Sequence, residues 1–160
     1  MPKEVVSGRP VIRIKRVYEP TTRRDGRRVL VERLWPRGLT KAALAADAWM
    51  KDVAPSPELR KWFAHRIDRW VEFRRRYERE LKGGAEAWAP LLEAGARGAL
   101  TLLYSARDRE HNAAVVLRDF LVRRGRRRVS ARKRAAAGSA TVVRRASGPS
   151  RRRSGRSGPR

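Results

Sequence analysis

The sequence predicts an α/β layered fold: a small sheet of about four mostly parallel strands flanked by helices, followed by a disordered basic C-terminal tail. Three observations predict it. Two β-branched runs, 11–18 and 28–34, precede any segment of helical period, and amphipathic helical segments between 57 and 98 then separate them from a third apolar run, 99–104. After Arg124 the composition changes abruptly to Arg, Ala, Gly, Ser and Pro.

Residues 1–10 form a short N-terminal extension. The run Val11–Tyr18 reads as the first strand because β-branched residues favour the pleated backbone, and Glu19-Pro20 ends it. A polar loop over Thr21–Gly26 leads to the second strand, Arg28–Leu34, stopped by Trp35-Pro36-Arg37-Gly38, where Pro removes a donor and Gly permits a turn. Thr40 is placed to cap a short helix over 41–46, and Ala48–Lys51 reads as a short third strand. Ser56-Pro57 has the N-cap then Pro signature, with Leu59, Trp62 and Phe63 at helical spacing behind it.

Ile67, Trp70, Val71, Tyr77 and Leu81 mark a longer amphipathic helix, and Trp88, Leu92 and Ala96 mark another between Gly83-Gly84 and Gly98. Ala99–Tyr104 is uninterrupted and apolar, as expected of an interior strand covered on both faces. Asp108 is placed to open a final helix with the stripe Ala113, Val116, Leu117, Phe120 and Leu121. The single domain thus spans 11–124, with the tail at 125–160.

The chain has 160 residues, no cysteine, and 41 Lys+Arg against 16 Asp+Glu, a formal charge of +25. Without cysteine there is no disulfide, thiol nucleophile, thiolate zinc site or iron–sulfur cluster. No apolar run reaches the roughly 18 residues of a membrane span, and the start lacks the apolar stretch of a secretory signal, so a cytoplasmic location without membrane attachment is expected. Residues 125–160 hold 13 of the cations and no acid, leaving 28 − 16, or +12, on residues 1–124. The clusters Arg126-Arg127-Arg128 and Arg132-Lys133-Arg134 suit a polyelectrolyte arm for nucleic acid, and equally a solvated extension of GC-rich codon composition.

Common site motifs are missing. No Gly-x-Gly-x-x-Gly follows a strand, and neither a phosphate loop ending in Gly-Lys-Ser/Thr nor a Gly-x-Ser-x-Gly elbow occurs. His65 and His111 are the only histidines, far apart in sequence. The sequence assigns no cofactor, metal or oligomeric state.

Ligands of open α/β sheets bind beyond the carboxyl ends of the strands, which directs attention to Trp35–Gly38 and Tyr104–Asn112. If strands two and four are parallel neighbours, both segments project at one edge, with Lys51 and Asp52 from the third strand beside them. Arg37, Lys51 and Arg107 then form an anion-attracting mouth, Trp35 and Tyr104 a stacking wall, and His111 or Asp52 the acid or base. Asp108 and Asn112 complete the candidate set. Asp108 also reads as a plain helix cap, His111 and Asn112 as first-turn structural residues, and Trp35, with the other four tryptophans, as core. The Arg74–Arg76 run sits among Glu72, Glu78 and Glu80 and reads as a paired, solvated helix face.

Six ordered segments carry a family resemblance: Arg16–Pro20, Arg28–Leu39, Trp49–Ser56, Leu59–His65, Phe73–Tyr77, and Thr101–Asp108 followed by His111-Asn112. On these the chain resembles the YeaO-like branch of the domain of unknown function 488 family over nearly all of 11–124. The resemblance implies a small cytosolic bacterial α/β protein, with no particular reaction attached. Two features depart from the pattern: Glu32 stands where Asp is usual, and the tail extends past the family's usual end.

Together these observations favour an enzyme or binding domain for a small anionic molecule, such as a nucleotide or sugar phosphate, at the strand ends. The alternative is a nucleic-acid accessory protein using the basic body and the tail.

Overall fold

The computed structural model describes the backbone of residues 9–145 and the side chains of residues 9–139. The chain divides into two compact units between Val129 and Ser130. In the first, β1 (Ile12–Arg16), β2 (Arg27–Leu30), β3 (Ala48–Trp49) and β4 (Leu100–Tyr104) form one sheet in the order β1-β4-β2-β3, every pair parallel. The strand β4 is interior, and all five of its residues are buried, Thr101 among them with its hydroxyl donating to the Asp25 carbonyl at 2.7 Å. An uncharged strand dominated by leucine fits one whose two faces both meet core.

Helix α1 (Lys41–Leu44) begins at Thr40, whose hydroxyl accepts the Ala43 N–H at 3.1 Å. Helix α2 (Pro57–Phe63) begins at Ser56, whose hydroxyl accepts the Leu59 N–H at 3.2 Å. Helices α3 (Trp70–Gly83) and α4 (Ala85–Arg97) follow, and α5 runs from Ala113 to Arg145. One apolar cluster gathers Val29, Leu100 and Leu102 with Leu59, Phe73, Leu91 and Leu117 from α2 to α5. A smaller cluster of Val17, Leu30, Leu103 and Leu44 joins the strands to α1. The alternation Leu102, Leu103 between the two clusters is the period-two side-chain reversal of a strand with core on both sides.

At the opposite end of the strands from Tyr104 lies a buried charge cluster. Asp25 accepts from Lys15 at 2.9 Å, from the Thr22 hydroxyl at 2.7 Å, and from Arg28, which also bonds the Ala45 and Leu44 carbonyls. Such burial costs little only because each charge has a partner and its remaining polar atoms are bonded.

Two expectations are corrected. The last helix starts at Ala113 and not at Asp108, because Asp108 folds a tight turn of its own and the Asn112 carboxamide oxygen caps the helix through the Val115 N–H at 3.1 Å. Of the residues expected to be disordered, 125–145 are helical. Ala and Arg, which dominate that stretch, are strong helix formers, and low hydrophobicity does not forbid a solvated helix. Residues 146–160 of the expected tail lie outside the described residues. Among the tryptophans, Trp88 is core, while Trp49 is 37% exposed and presents its ring to Lys51. On α3, Glu72 pairs with Arg76 at 2.8 Å, and Glu78 pairs with Arg123 of α5 at 2.7 Å.

Candidate functional site

A cleft of about 840 Å³ opens at the carboxyl ends of β1, β2 and β4. Its position follows from the topology: β2 and β4 are parallel neighbours, so the chain leaves both at the same edge. Val31–Arg37 after β2 and Tyr104–Asp108 at the end of β4 form two walls, and Arg60 and Phe63 of α2, with His65 just beyond it, close the third. His65 arrives there through two consecutive left-handed residues, Ala64 (φ 47°) and His65 (φ 56°), which reverse the chain after α2. Non-glycine residues held in that region are strained and concentrate where geometry is over-determined.

The rim is tied together by polar contacts. The Ser105 backbone N–H and hydroxyl both donate to the Glu32 carboxylate at 2.7 Å. Arg33 reaches the Ala54 and Pro55 carbonyls at 3.5 and 3.4 Å, and Tyr18 donates to the Arg37 carbonyl at 3.0 Å. Trp35 donates to the Leu39 carbonyl at 2.6 Å and meets Trp49 edge to face with centroids 5.2 Å apart.

Tyr104 differs from these. It is 4% exposed, lines the cleft, and its hydroxyl bonds no group among the described residues. Burial pushes its phenol above the ordinary value, with Glu19 and Asp108 acting in the same direction and Arg109 and Arg16 opposing. At neutral pH it is therefore a proton-bearing donor. Arg37, Arg60 and Arg107 line the same space, and none forms an ion pair or side-chain hydrogen bond among the described residues. With Arg16 and Arg33 the lining holds five guanidinium groups against the two carboxylates of Glu32 and Asp108.

Of the residues read from the sequence, Trp35, Arg37, Tyr104, Arg107, Asp108 and Asn112 meet at this cleft. Both ends of the Asn112 amide are engaged, by the Asp108 carbonyl at 2.9 Å and by the helix cap. His111, Lys51 and Asp52 are not among the lining residues. The His111 Nδ1 lies 2.9 Å from the Asp108 carboxylate, and its ring packs edge to face on Trp70 at 5.2 Å. Asp108 is held below the ordinary carboxylate value chiefly by the backbone N–H groups of Glu110 and His111. Lys51 and Asp52 lie in a short 3-10 turn after β3, exposed, with the Lys51 ammonium 3.9 Å above the Trp49 ring.

Sequence reasoning missed Glu32, Ser105, Arg33, Arg60, Phe63 and His65. The pairing of β2 with β4 signals Glu32 and Ser105, since each follows its strand by one or two residues. The residues from α2 carry no such signal. Among the described residues no group of three His, Asp or Glu side chains is placed to hold a metal ion, and no helix is long and apolar enough to cross a membrane.

Comparison with known proteins places the chain in a family. The chain is 44% identical over 110 residues to "Uncharacterized protein YeaO" of Escherichia coli (strain K12), covering 69% of this chain and 96% of that protein. It is 42% identical over 110 residues to "Uncharacterized protein Rv3073c" of Mycobacterium tuberculosis (strain ATCC 25618 / H37Rv), covering 69% of this chain and 92% of that protein. "Uncharacterized protein Mb3100c" of Mycobacterium bovis matches to the same extent. No solved structure matches. The family model described as "Inactive DUF488-N3 subclade" matches residues 11–142, and with the YeaO likeness it shows that the chain belongs to the YeaO-like proteins of the DUF488 family.

Proposed function

We propose that the protein binds a small anionic molecule in the cleft at the strand ends, as a binding domain and not as a catalyst. One observation carries the reading: the Tyr104 phenol, whose hydroxyl bonds no protein group among the described residues, shares the cleft with three exposed guanidinium groups that have no counter-ion among those residues. An unengaged donor and unpaired cations gathered on one cleft offer an oxyanion several charge-assisted hydrogen bonds at once. Arg37 and Arg107 hold the anion from two strand ends and Tyr104 donates from below, with Asp108 and Asn112 fixing the backbone that carries Arg107.

The binding reading draws on where the two proton carriers singled out from the sequence lie, with His65 the one imidazole left in the lining. His111 is engaged by Asp108 and Trp70 outside the lining, and Asp52 lies on the exposed turn after β3. The family description, which calls the subclade inactive, agrees with binding alone. The experiment is thermal denaturation of the full chain with rising concentrations of phosphomonoesters, since a ligand of the native state raises its stability. A saturable shift that disappears in the Arg37→Ala/Arg107→Ala double variant supports the reading. No shift with any phosphomonoester, or a shift that survives in the double variant, overturns it.

A second reading, nucleic-acid binding, draws on a different observation. Arg126, Arg127, Arg128, Arg132, Lys133 and Arg134 are exposed and unpaired among the described residues, and no acid follows Asp119 in the sequence. Such cations bind phosphate backbones by counterion release with little sequence preference. Its mark is duplex binding that weakens steeply with salt; retention of a generic duplex independent of salt argues against it.

A further inference from the structure

The polar inventory of the cleft narrows the ligand beyond its charge. Among the neutral polar side chains that line it, Tyr18, Trp35, Ser105 and Asn112 are each committed to a protein partner: the Arg37 carbonyl, the Leu39 carbonyl, Glu32, and the Asp108 carbonyl with the Val115 N–H. Both carboxylates are likewise occupied, Glu32 by Ser105 and Asp108 by His111 and the turn that precedes it. What remains for a ligand is one phenol hydroxyl, His65, and cations. The rest of the lining is apolar: Val31 and Leu34 from one wall, Phe63 and Phe73 from the other, with Pro36, Pro55 and Ala114 between.

A polyhydroxylated molecule fits such a lining poorly. Each sugar hydroxyl that leaves water needs a replacement partner, and a buried polar group left unpaired costs far more than a lost methylene contact. A flat apolar body makes no such demand, and it gains from contact with the aromatic and aliphatic surface. The charged end is specified separately. Three unpaired guanidinium groups and a phenol donor outmatch a single negative charge and suit a doubly charged oxyanion, which accepts several charge-assisted bonds at once.

Resting on the anion-binding reading above, we propose that the cleft takes aromatic phosphomonoesters, with the phosphate at Arg37, Arg107 and Tyr104 and the ring against Leu34 and Phe63. Sugar phosphates are discriminated against because, once Tyr104 and the arginines meet the phosphate, His65 is the one uncommitted side chain left in the lining for their several hydroxyl groups. Inorganic phosphate meets the cations but leaves the apolar surface uncovered.

The test is isothermal titration of the full chain with phenyl phosphate, glucose 6-phosphate and inorganic phosphate under one buffer condition. Phenyl phosphate is expected to bind at least about tenfold more tightly than either of the others, a difference of about 1.4 kcal/mol. Leu34→Ser is expected to remove most of that advantage while leaving inorganic phosphate unchanged, and because Leu34 is exposed the substitution does not threaten the core. Tyr104→Phe is expected to weaken all phosphates about equally. If glucose 6-phosphate binds as tightly as phenyl phosphate and both are lost in Arg107→Ala, the aromatic class is overturned and the anion site stands. If none of the three binds, both proposals fall.

Discussion

Glu32 accepts both hydrogen bonds that Ser105 can donate, one from its backbone N–H and one from its hydroxyl, each at 2.7 Å. Ser105 is the first residue after β4, and Glu32 lies two residues past β2, so one carboxylate joins the exits of neighbouring strands just where the cleft begins. Glu32→Ala leaves a part-buried N–H without its partner and is expected to cost about 1–3 kcal/mol, whereas Ser105→Ala loses one bond and costs about 0.5–1.5 kcal/mol. Urea unfolding of both variants and of the double variant checks this. The double variant should fall short of the sum, and strict additivity would show that the two residues do not act as a unit.

The Asp25 cluster sets a pH dependence of stability. Burial alone raises the Asp25 carboxyl, but hydrogen bonds from Thr22, Lys15 and Arg28 outweigh it and hold the group well below the ordinary carboxylate value. A carboxylate depressed in the folded state contributes stability that is complete above its unfolded value, about pH 4, and is lost as pH falls through the lower folded value. Unfolding free energy is therefore expected to decline steadily below about pH 4, with Asp25→Asn flattening that decline. At neutral pH Asp25→Asn is expected to cost about 3–5 kcal/mol, because the buried Arg28 keeps its charge without a counter-ion.

Two glycines separate steric need from helix propensity. Gly26 has φ 61°, and a Cβ there would overlap the Ala99 carbonyl oxygen, a backbone atom that cannot turn aside. Gly26→Ala is expected to cost about 2–5 kcal/mol from left-handed strain and overpacking together. Gly125 is helical, and in an open helix Gly→Ala gains about 1 kcal/mol. Here the added Cβ would meet the Pro10 ring and approach Leu92 at 3.3 Å, so a net loss of about 1 kcal/mol is expected instead. Thermal melts of the two variants settle the order. A gain at Gly125→Ala would mean that Pro10 moves away freely.

How far the sequence foretold this molecule depends on whether a signal was local. The interior place of β4 was legible because Leu100–Tyr104 carries leucine at three of its five positions and no charge, and the caps at Thr40 and Ser56 were legible because capping is settled within four residues. The start of α5 was not. Asp108 and Asn112 are equally good caps by residue type, and only the backbone decides that Asp108 takes the N–H groups of Glu110 and His111 while Asn112 takes that of Val115. Arg37, Tyr104 and Arg107 were legible as strand-end residues. Phe63 ends α2, and His65 follows it through the left-handed pair at Ala64 and His65, which no local pattern of Ala and His announces. His111 looked suited to proton transfer by type, yet its Nδ1 is taken by Asp108 and its ring rests on Trp70.

The basic end of the chain gives the last prediction. Residues 130–160 hold ten Lys and Arg residues and no acid, so ending the chain at Val129 lowers the formal charge from +25 to +15. The break falls between the two compact units, and the cleft residues all precede it. Each phosphate neutralised contributes about −0.9 to the slope of log binding constant against log salt. Titrating a generic duplex with full-length and shortened protein across a range of salt should show the slope flattening by about 4 or more on shortening. Phosphomonoester binding in the cleft should stay unchanged. An equal slope for the two proteins would move any nucleic-acid contact onto the first unit, where Arg126, Arg127 and Arg128 and the cations of the cleft mouth are exposed candidates. Competition separates them: phenyl phosphate would displace the DNA from Arg37 and Arg107 and leave it in place on Arg126–Arg128.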